Sequence, residues 1–255
     1  MKRRIDQLLV ERGLAESRHK AQALLLAGQI LVEEQKVEKP GRLVNPDVSI
    51  RVLRLLPFAS RAGAKLQAAL DHFRICVVGR ACADLGASTG GFTDCLLQNG
   101  ASRVHAFDVG KGQLAWRLQS DPRVVVRDGF NVRALSPADL PGDISFVSID
   151  LSFISVTKVL TSLKESLAKD ACAEGAIDVI VLVKPQFEVG KGEVGKGGIV
   201  QDPAKRLRAL DAIIKFALQT GFQVMGSLPS PVSGARGNQE FLLHLQLAKG
   251  LLSSP

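Results

Sequence analysis

The feature that most restricts the fold is a regular alternation of short apolar runs with stretches of helical period, beginning near residue 80. The runs have the length and composition of buried strands, and they are Arg80–Leu85, Val104–Val109, Val124–Val126, Ile144–Ile149 and Ile177–Val183. The other stretches predict helices at Gly91–Gln98, Gln113–Leu118, Ser155–Leu167 and Pro203–Gln219. Such alternation is typical of a parallel sheet that is covered by helices on both faces.

Two further strands complete the predicted sheet. Phe222–Ser227 and Glu240–Leu247 are separated by a loop alone, which favours an antiparallel pair at one edge of the sheet. The sequence therefore predicts an α/β fold for this region. The expected form is a doubly wound, Rossmann-like sheet of seven strands with an antiparallel edge strand.

The first 54 residues follow a different pattern and predict a small separate domain. Two short helices, Asp6–Arg12 and Arg18–Ala27, each end at a glycine, where a left-handed backbone is expected. Strands bounded by turn residues follow at Ile30–Val32, Lys36–Val37 and Val48–Val52. We therefore expect an α+β domain at 1–54, a linker at 55–59 and a larger domain at 60–255.

The charge balance indicates a polyanionic partner. Lys and Arg number 33 against 25 Asp and Glu, which gives a formal charge of +8 and an isoelectric point near 9.5. RNA, DNA and an anionic membrane are all candidates on that ground. No apolar run is long enough for the centre of a signal peptide or for a membrane span, so we expect a soluble, cytoplasmic protein.

Basic residues concentrate on the two short helices at the amino terminus. A solvated helix face is the simple explanation, and an RNA-binding face is the alternative. The helix start Ser17-Arg18-His19-Lys20, with the two-helix order, resembles the S-four RNA-binding module, in which this face contacts RNA phosphates. Glu34 stands where that module has a glycine, so we expect a turn of different shape. The predicted RNA contacts here are Arg3, Arg4, Arg18 and Lys20.

A glycine-rich turn, Asp84–Asp94, follows the first predicted strand of the larger domain. Glycines let the backbone approach a ligand, and the helix start offers free N–H groups to a carboxylate or phosphate. The turn lacks the GxGxxG spacing of dinucleotide-binding proteins, and an ordinary tight turn is the alternative. The candidate cofactor contacts are Asp84, Gly86, Ser88, Thr89, Gly90, Gly91 and Phe92.

Acidic residues lie at the ends of the next three predicted strands: Asp108, Asp128 and Asp150. The carboxyl ends of parallel strands meet at one edge, where open α/β sheets bind ligands. There Asp108 can accept hydrogen bonds from the ribose hydroxyls of an adenosine, and Asp128 can meet the adenine amino group. An acidic rim suits a cationic sulfonium that carries a ribose, so the expected cofactor is S-adenosylmethionine rather than a triphosphate.

A second glycine-rich segment, Gly190–Gly197, matches GxxxxGK but has glycine where a P-loop has Ser or Thr to hold magnesium. No helix follows it immediately. We therefore interpret it as a loop that carries Lys191 and Lys196 towards a nucleic-acid backbone. The four cysteines, Cys76, Cys82, Cys95 and Cys172, show no CxxC spacing and are interpreted as small buried hydrophobic residues. Neither a metal nor a disulfide is expected, and a monomer is favoured.

Lys184 follows the fifth predicted strand, beside the strand that ends at Asp150 in a doubly wound order. Methyl transfer to an alcohol needs an in-line approach of the oxygen and help in removing the hydroxyl proton. A lysine held near a carboxylate in a semi-buried cleft can give that help. An exposed cap on the strand end is the alternative.

Five motifs occur in order along the chain, and together they resemble the TlyA (haemolysin A) family of bacterial ribosomal RNA 2′-O-methyltransferases, whose larger domain is FtsJ-like. The motifs are Ser60-Arg61 with Lys65-Leu66, the turn Asp84–Asp94, Asp150–Ser155, Leu182–Lys191 and Gly237–Glu240. The resemblance spans essentially the whole chain. It implies methyl transfer from S-adenosylmethionine to the 2′-hydroxyl of a cytidine in the RNA of ribosomal subunits.

The resemblance also implies a catalytic set of Lys65, Asp150, Lys184 and Glu240. Lys184 would activate the 2′-hydroxyl and Asp150 would orient it, while Lys65 and Glu240 would position the ribose. Considered without the family, Lys65 and Glu240 are interpreted as an ordinary surface ion pair. Arg61, in the first of the motifs, joins the residues predicted to contact RNA.

The target nucleotide has to leave its helix to reach such a cleft, and a displaced base needs a flat surface on which to stack. Phe153, Phe187 and Trp116 are the aromatic candidates, although core packing is the common role of Phe and Trp. Two rival functions remain. One is a membrane-lytic protein, which the family's older name suggests, and the other is a non-catalytic RNA-binding factor in ribosome assembly.

Overall fold

The structure is a computed structural model that describes residues 2–53, 57–167, 175–190 and 192–248. The chain forms two compact units, Met1–Leu56 and Pro57–Pro255. Residues 57–59, predicted as part of the linker, pack within the second unit, where Phe58 is buried and the Ala59 N–H donates to Asp94. Linker residues 55 and 56 lie outside the described residues. In the described ranges, no helix is both long and apolar enough to cross a membrane.

The first unit contains two helices and two small sheets. The helices are α1 (Ile5–Glu11) and α2 (Arg18–Leu26). The strands are β1 (Arg3–Arg4), β2 (Ile30–Val32), β3 (Gln35–Lys36), β4 (Leu43–Val44) and β5 (Ile50–Val52). One antiparallel sheet has the order β3-β2-β5, and β1 pairs with β4. The sequence did not reveal the β1–β4 pair, because strands of two residues carry no periodicity.

The hairpin between β2 and β3 turns at Glu33 and Glu34. Both residues have a positive φ, 49° and 60°, as a type I′ turn requires. The glutamate that stands in place of the expected glycine thus adopts the left-handed backbone of a tight hairpin. Both glutamates are held by side-chain contacts, since Glu33 accepts a hydrogen bond from the Ser49 N–H and Glu34 pairs with Arg51 at 2.5 Å.

The second unit is built on one seven-stranded sheet. Its strands are β6 (Ala81–Leu85), β7 (Arg103–Asp108), β8 (Val124–Asp128), β9 (Ile144–Ile149), β10 (Ala176–Val183), β11 (Gln223–Pro229) and β12 (Phe241–Ala248). The order is β11-β12-β10-β9-β6-β7-β8. Strand β12, second from the edge, runs antiparallel to both neighbours, and the remaining pairs are parallel. The predicted Rossmann-like class and the antiparallel pair at one edge are confirmed.

Helices cover both faces of this sheet. They are α3 (Ala62–Phe73), α4 (Gly91–Gln98), α5 (Trp116–Gln119), α6 (Thr157–Leu167), α7 (Pro185–Glu188) and α8 (Pro203–Thr220). In β10, Val179 and Val181 pack in the core with α6 and α8, while Ile180 and Leu182 pack in the core with α3 and α4. Because both faces are covered, this strand is an unbroken apolar run from Val179 to Val183, and that run shows no polar alternation.

Helix α5 is shorter than the predicted segment Gln113–Leu118. The Gln113 side chain accepts a hydrogen bond from Ser88 Oγ at 3.4 Å, and the Ala115 N–H donates to the Thr89 carbonyl at 3.2 Å. Residues 113–115 are therefore held against the glycine turn, and the helix begins only at Trp116. A helix does form in the predicted segment, but tertiary hydrogen bonds hold its first three residues outside the helix.

The cysteines differ in burial. Cys82 and Cys95 are buried as expected, whereas Cys76 is exposed, contrary to expectation. Cys172 lies outside the described residues. Burial raises the pKa of the Cys82 thiol to about 12, so this side chain stays protonated at neutral pH. Within the described ranges, no cluster of His, Cys, Asp and Glu could hold a metal ion.

Candidate active site

The glycine turn between β6 and α4 brings the backbone close to the end of β9. Gly86 has a φ of +92°, and a Cβ atom at this position would lie 2.4 Å from the Asp150 carbonyl oxygen. The fully buried carboxylate of Asp84 fixes the turn, because it accepts hydrogen bonds from Thr93 Oγ1 at 2.7 Å and Ser148 Oγ at 2.9 Å. Burial raises the pKa of Asp84 to about 6.

An open cavity of about 600 Å³ extends from this turn along the carboxyl edge of the sheet. Asp108 lies at the end of β7. One of its carboxylate oxygens accepts a hydrogen bond from the Ser88 N–H and the other from the Gly110 N–H, both at 2.7 Å. The volume is that of a small-molecule site, and a few oriented polar groups among apolar walls are typical of one. Apolar parts of the lining are Val109, Phe130, Val132, Leu151 and Ile154.

A smaller cavity of about 150 Å³ shares Gly86, Ser88, Asp150 and Ser152 with the larger one. Lys184, the residue after β10, lines it. Lys184 Nζ lies 2.6 Å from Asp150 Oδ1 and donates a hydrogen bond to Ser152 Oγ at 3.0 Å. The side chains of Lys184 and Asp150 are only 11% and 16% exposed, so Lys184 is not a solvated strand cap. Their contact lacks hydrogen-bond geometry, and Oδ1 finds no hydrogen-bond donor among the described residues.

A second buried ion pair joins Lys65, on α3, to Glu240, which immediately precedes β12. Lys65 Nζ lies 2.5 Å from Glu240 Oε2, and the two side chains are 9% and 2% exposed. The interpretation as a surface ion pair is therefore wrong. Strand pairing brings the two ion pairs to the same region, because Val183 and Phe241 are opposite each other in the sheet. Gln186 contacts the second of these pairs, since its Nε2 donates to Glu240 Oε1 at 3.5 Å.

Two aromatic side chains, Phe153 and Phe187, lie near Lys184. Phe153 lines the larger cavity, has a φ of +65° and is 90% exposed. Its ring centroid lies 5.1 Å from that of Phe187, and the Phe187 centroid lies 5.9 Å from Lys184 Nζ. Trp116 is also exposed, at 80%, but it lines neither of the two cavities. Core packing is thus the wrong interpretation for Phe153 and Trp116.

Comparison with family models covers both units. Residues 3–50 match the S4 domain, and residues 58–247 match the FtsJ-like methyltransferase model. The chain belongs to the FtsJ-like methyltransferase family. We refer to the first unit as the S4 domain and to the second as the FtsJ-like domain, and the sequence-based resemblance to RNA methyltransferases of this type is confirmed.

Relatives match along nearly the whole chain. The 16S/23S rRNA (cytidine-2′-O)-methyltransferase TlyA of Mycobacterium tuberculosis is 45% identical over 245 residues, which cover 95% of this chain and 89% of that protein. Hemolysin A of Brachyspira hyodysenteriae is 39% identical over 242 residues, 94% of this chain and 98% of that protein. A solved structure described as a hemolysin, from Streptococcus thermophilus, has a TM-score of 0.72 at 39% identity and covers 97% of this chain and 89% of that one.

Most of the cofactor contacts predicted for the FtsJ-like domain line a cavity. The larger cavity is lined by Gly86, Ser88, Asp108 and Asp150. The smaller cavity is lined in addition by Thr89, Gly91 and Phe92. Three predicted contacts line neither: Asp84, Gly90 and Asp128. Asp84 holds the turn instead, Gly90 is the N-cap of α4 and lies against Leu114 and Leu118, and Asp128 accepts a hydrogen bond from the Gly112 N–H at 2.7 Å.

Sequence reasoning missed the segment after β8. Phe130, Asn131 and Arg133 line the larger cavity of the FtsJ-like domain, where the sequence had suggested Asp128. The chain is drawn back to the cavity by backbone hydrogen bonds, from the Gly129 N–H to the Gly110 carbonyl and from the Phe130 N–H to the Asp108 carbonyl. The one available signal was Gly129, which has a φ of +69° and permits a sharp turn directly after the strand.

Two of the three RNA contacts predicted in the FtsJ-like domain lie among the described residues. Arg61 and Lys196 are exposed, and Lys191 lies outside the described residues. Residues 192–198 form turns closed by a bridge between Gly195 and Ile199, and α8 begins only at Pro203. This geometry differs from a P-loop, in which a helix starts at the phosphate-binding turn.

In the S4 domain the predicted contacts are at the surface. Lys20 is exposed, and Arg3 is exposed and pairs with Glu11 at 2.9 Å. The side chains of Arg4 and Arg18 are 42% and 50% exposed, and both contact Asp6. The S4 domain thus presents all four predicted cations to solvent, two of them anchored on a shared carboxylate.

Proposed function

We propose that the protein transfers a methyl group from S-adenosylmethionine to the 2′-hydroxyl of a cytidine in ribosomal RNA. The observation that carries this proposal is the buried Lys184–Asp150 pair beside the open glycine turn, where the two cavities share their lining. Membership of the FtsJ-like family supports methyl transfer, and the name of the TlyA relative supports the cytidine ribose as target. The protein would act as a monomer on ribosomal subunits in the cytoplasm.

The larger cavity fits the adenosyl part of the cofactor. The Asp108 carboxylate is held by two backbone N–H groups, and its remaining lone pairs can accept hydrogen bonds from ribose hydroxyls. Phe130, Leu151 and Ile154 offer apolar surface to the adenine ring. At Gly86, the absence of a side chain lets the Asp150 backbone lie against the glycine turn at the cavity wall. When bound, S-adenosylmethionine supplies a methyl group that its positively charged sulfur makes electrophilic.

Lys184 and Asp150 are suited to activating a hydroxyl. In this proposal Lys184 Nζ orients the attacking 2′-hydroxyl and takes up its proton as the oxygen attacks the methyl group. Asp150 lies 2.6 Å from Nζ, orients the amine and then stabilises the ammonium that forms. Lys65, on α3, and Glu240, directly before β12, would hold the ribose, and Gln186 contacts Glu240. Because the carboxylates and lysines are paired before RNA binds, little reorganisation is needed during the reaction.

The proposal is tested with methyl-labelled S-adenosylmethionine and separated ribosomal subunits from cells that lack the protein. We expect calorimetry to show cofactor binding, and label to enter ribosomal RNA at a cytidine ribose located by mapping. Absence of label in both subunits, with no affinity for the cofactor or its demethylated product, would overturn the proposal. A liposome leakage assay tests the membrane-lytic alternative, and we expect no leakage.

Replacement of Phe153 by Ala is expected to reduce kcat/KM for RNA by roughly 5- to 160-fold, because stacking of a base on an aromatic ring contributes about 1–3 kcal/mol. Phe153 is exposed at the cavity rim, so cofactor affinity should change little. Phe153→Trp should keep most of the activity. Trp116→Ala removes an equally exposed aromatic that lines neither cavity and is the matched control. Equal losses in both alanine variants would contradict a stacking role for Phe153.

A further inference from the structure

The Asp6 side chain of the S4 domain is fully buried although it is charged. It accepts four hydrogen bonds, each 3.0 Å long: two from Arg4 and one each from Arg18 Nε and Gln22 Nε2. The hydrogen bonds from Arg4, followed by those from Gln22 and Arg18, outweigh burial and hold the pKa of Asp6 well below its ordinary value. Asp6 therefore remains ionised at neutral pH and pairs with two guanidinium groups.

The four hydrogen bonds connect the starts of the two helices. Arg4 immediately precedes α1, and Arg18 is the first residue of α2. Asp6 occupies Nε and Nη2 of Arg4 and Nε of Arg18. Within residues 2–53, the other guanidinium N–H groups of these two arginines have no protein acceptor, and both side chains are about half exposed. Each guanidinium is thus fixed on its inner side and open on its outer side.

We propose that Asp6 is a positioning residue for RNA binding, which holds the guanidinium groups of Arg4 and Arg18 so that their outer N–H groups bind RNA phosphates. This inference rests on the proposed function, which supplies the RNA. Arginine binds phosphate through a planar fork of N–H groups, so its orientation matters as much as its charge. A side chain that is already immobilised loses less conformational entropy when the phosphate arrives.

Net charge alone predicts that Asp6 weakens RNA binding, which is the opposite of the proposed role. The carboxylate reduces the positive potential of the domain, so its removal should strengthen attraction to RNA if only net charge mattered. If Asp6 acts by orientation, its removal weakens binding although the protein becomes more positive. The sign of the change therefore separates the two explanations.

The test compares Asp6→Asn with Glu11→Gln in the full-length protein. Both substitutions lie in α1 and remove one negative charge, but Glu11 contacts only the exposed Arg3 among the described residues, at 2.9 Å. Binding to a ribosomal RNA fragment is measured by fluorescence anisotropy over a series of salt concentrations. We expect Glu11→Gln to bind as tightly as wild type or tighter, and Asp6→Asn to bind roughly five- to tenfold more weakly.

A second variant keeps the test decisive if Asp6→Asn disturbs folding, which thermal denaturation would reveal. Arg18→Lys conserves charge but lacks the Nε–H that contacts Asp6, so we expect weaker binding with an unchanged salt slope. A folded Asp6→Asn that binds as well as wild type, or an Arg18→Lys variant that does, would overturn the inference while the proposed function stands. Failure of wild type to bind RNA would instead remove the proposed function, and this inference with it.

Discussion

Replacement of Lys184 by Met is expected to slow methyl transfer by about 10²–10⁴-fold, the usual contribution of a positioned acid or base. Methionine keeps the length of the apolar stem and removes only the amine that lies 2.6 Å from Asp150. The loss should be in the transfer step, because Lys184 lines the smaller cavity and not the larger one that fits the adenosyl group. Single-turnover kinetics with labelled cofactor, together with calorimetric cofactor affinity, measure the two effects separately.

Two companion variants make this result specific. Lys158→Met removes an exposed lysine from α6 in the same domain and should leave the transfer rate unchanged. Lys184→Arg keeps a positive charge beside Asp150, but a guanidinium does not release its proton in proteins, so it should be nearly inactive. Substantial activity of Lys184→Arg would contradict proton removal by Lys184. Wild-type turnover by Lys184→Met would show that methyl transfer does not depend on Lys184 and would remove the proposed chemistry.

The sequence predicted the parts of the site that follow from strand order. Asp108, Asp150 and Lys184 each lie at or directly after the end of a parallel strand, and such ends share one edge of the sheet. The doubly wound order then makes β9 and β10 neighbours, so the pairing of Asp150 with Lys184 needed no information beyond the topology. Periodicity and the strand-end rule together were sufficient here.

Asp128 shows where the same rule fails. It also ends a parallel strand, yet its carboxylate accepts a hydrogen bond from the Gly112 N–H, and Phe130 and Asn131 line the cavity instead. The direction of a strand-end side chain depends on the loop next to it, and the 109–115 loop carries no periodic signal. A strand-end acid is therefore a candidate for ligand binding, and the neighbouring loop decides whether it stays free.

The sequence also could not predict which charged residues are buried against partners far away in the chain. Lys65 and Glu240 are 175 residues apart, and Asp6 has its partners on two different elements of the S4 domain. A charged residue is exposed in most proteins, so composition favours a surface interpretation for each of them. Only the packing of α3 near β12, and of α1 against α2, converts these residues into buried, paired charges.

Replacement of Glu240 by Gln is expected to destabilise the FtsJ-like domain by about 3–5 kcal/mol, because Lys65 then becomes a buried charge without its partner. The two side chains are 9% and 2% exposed, so water cannot readily replace the lost carboxylate. Urea denaturation measures the free energy of unfolding, and hydrogen exchange of α3 and β12 locates the effect. Glu193→Gln breaks the partly exposed contacts with Lys205 and Arg208 and should cost less than about 1 kcal/mol.

The double variant Lys65→Met with Glu240→Leu separates the structural role of this pair from its role in the reaction. Apolar residues of similar volume leave no buried charge, so the double variant should regain most of the stability that Glu240→Gln loses. Methyl transfer should nevertheless stay low, because the groups proposed to hold the ribose beside Lys184 are absent. A stable double variant with wild-type activity would mean that the pair only fills the core, and that Lys184 and Asp150 suffice for the chemistry.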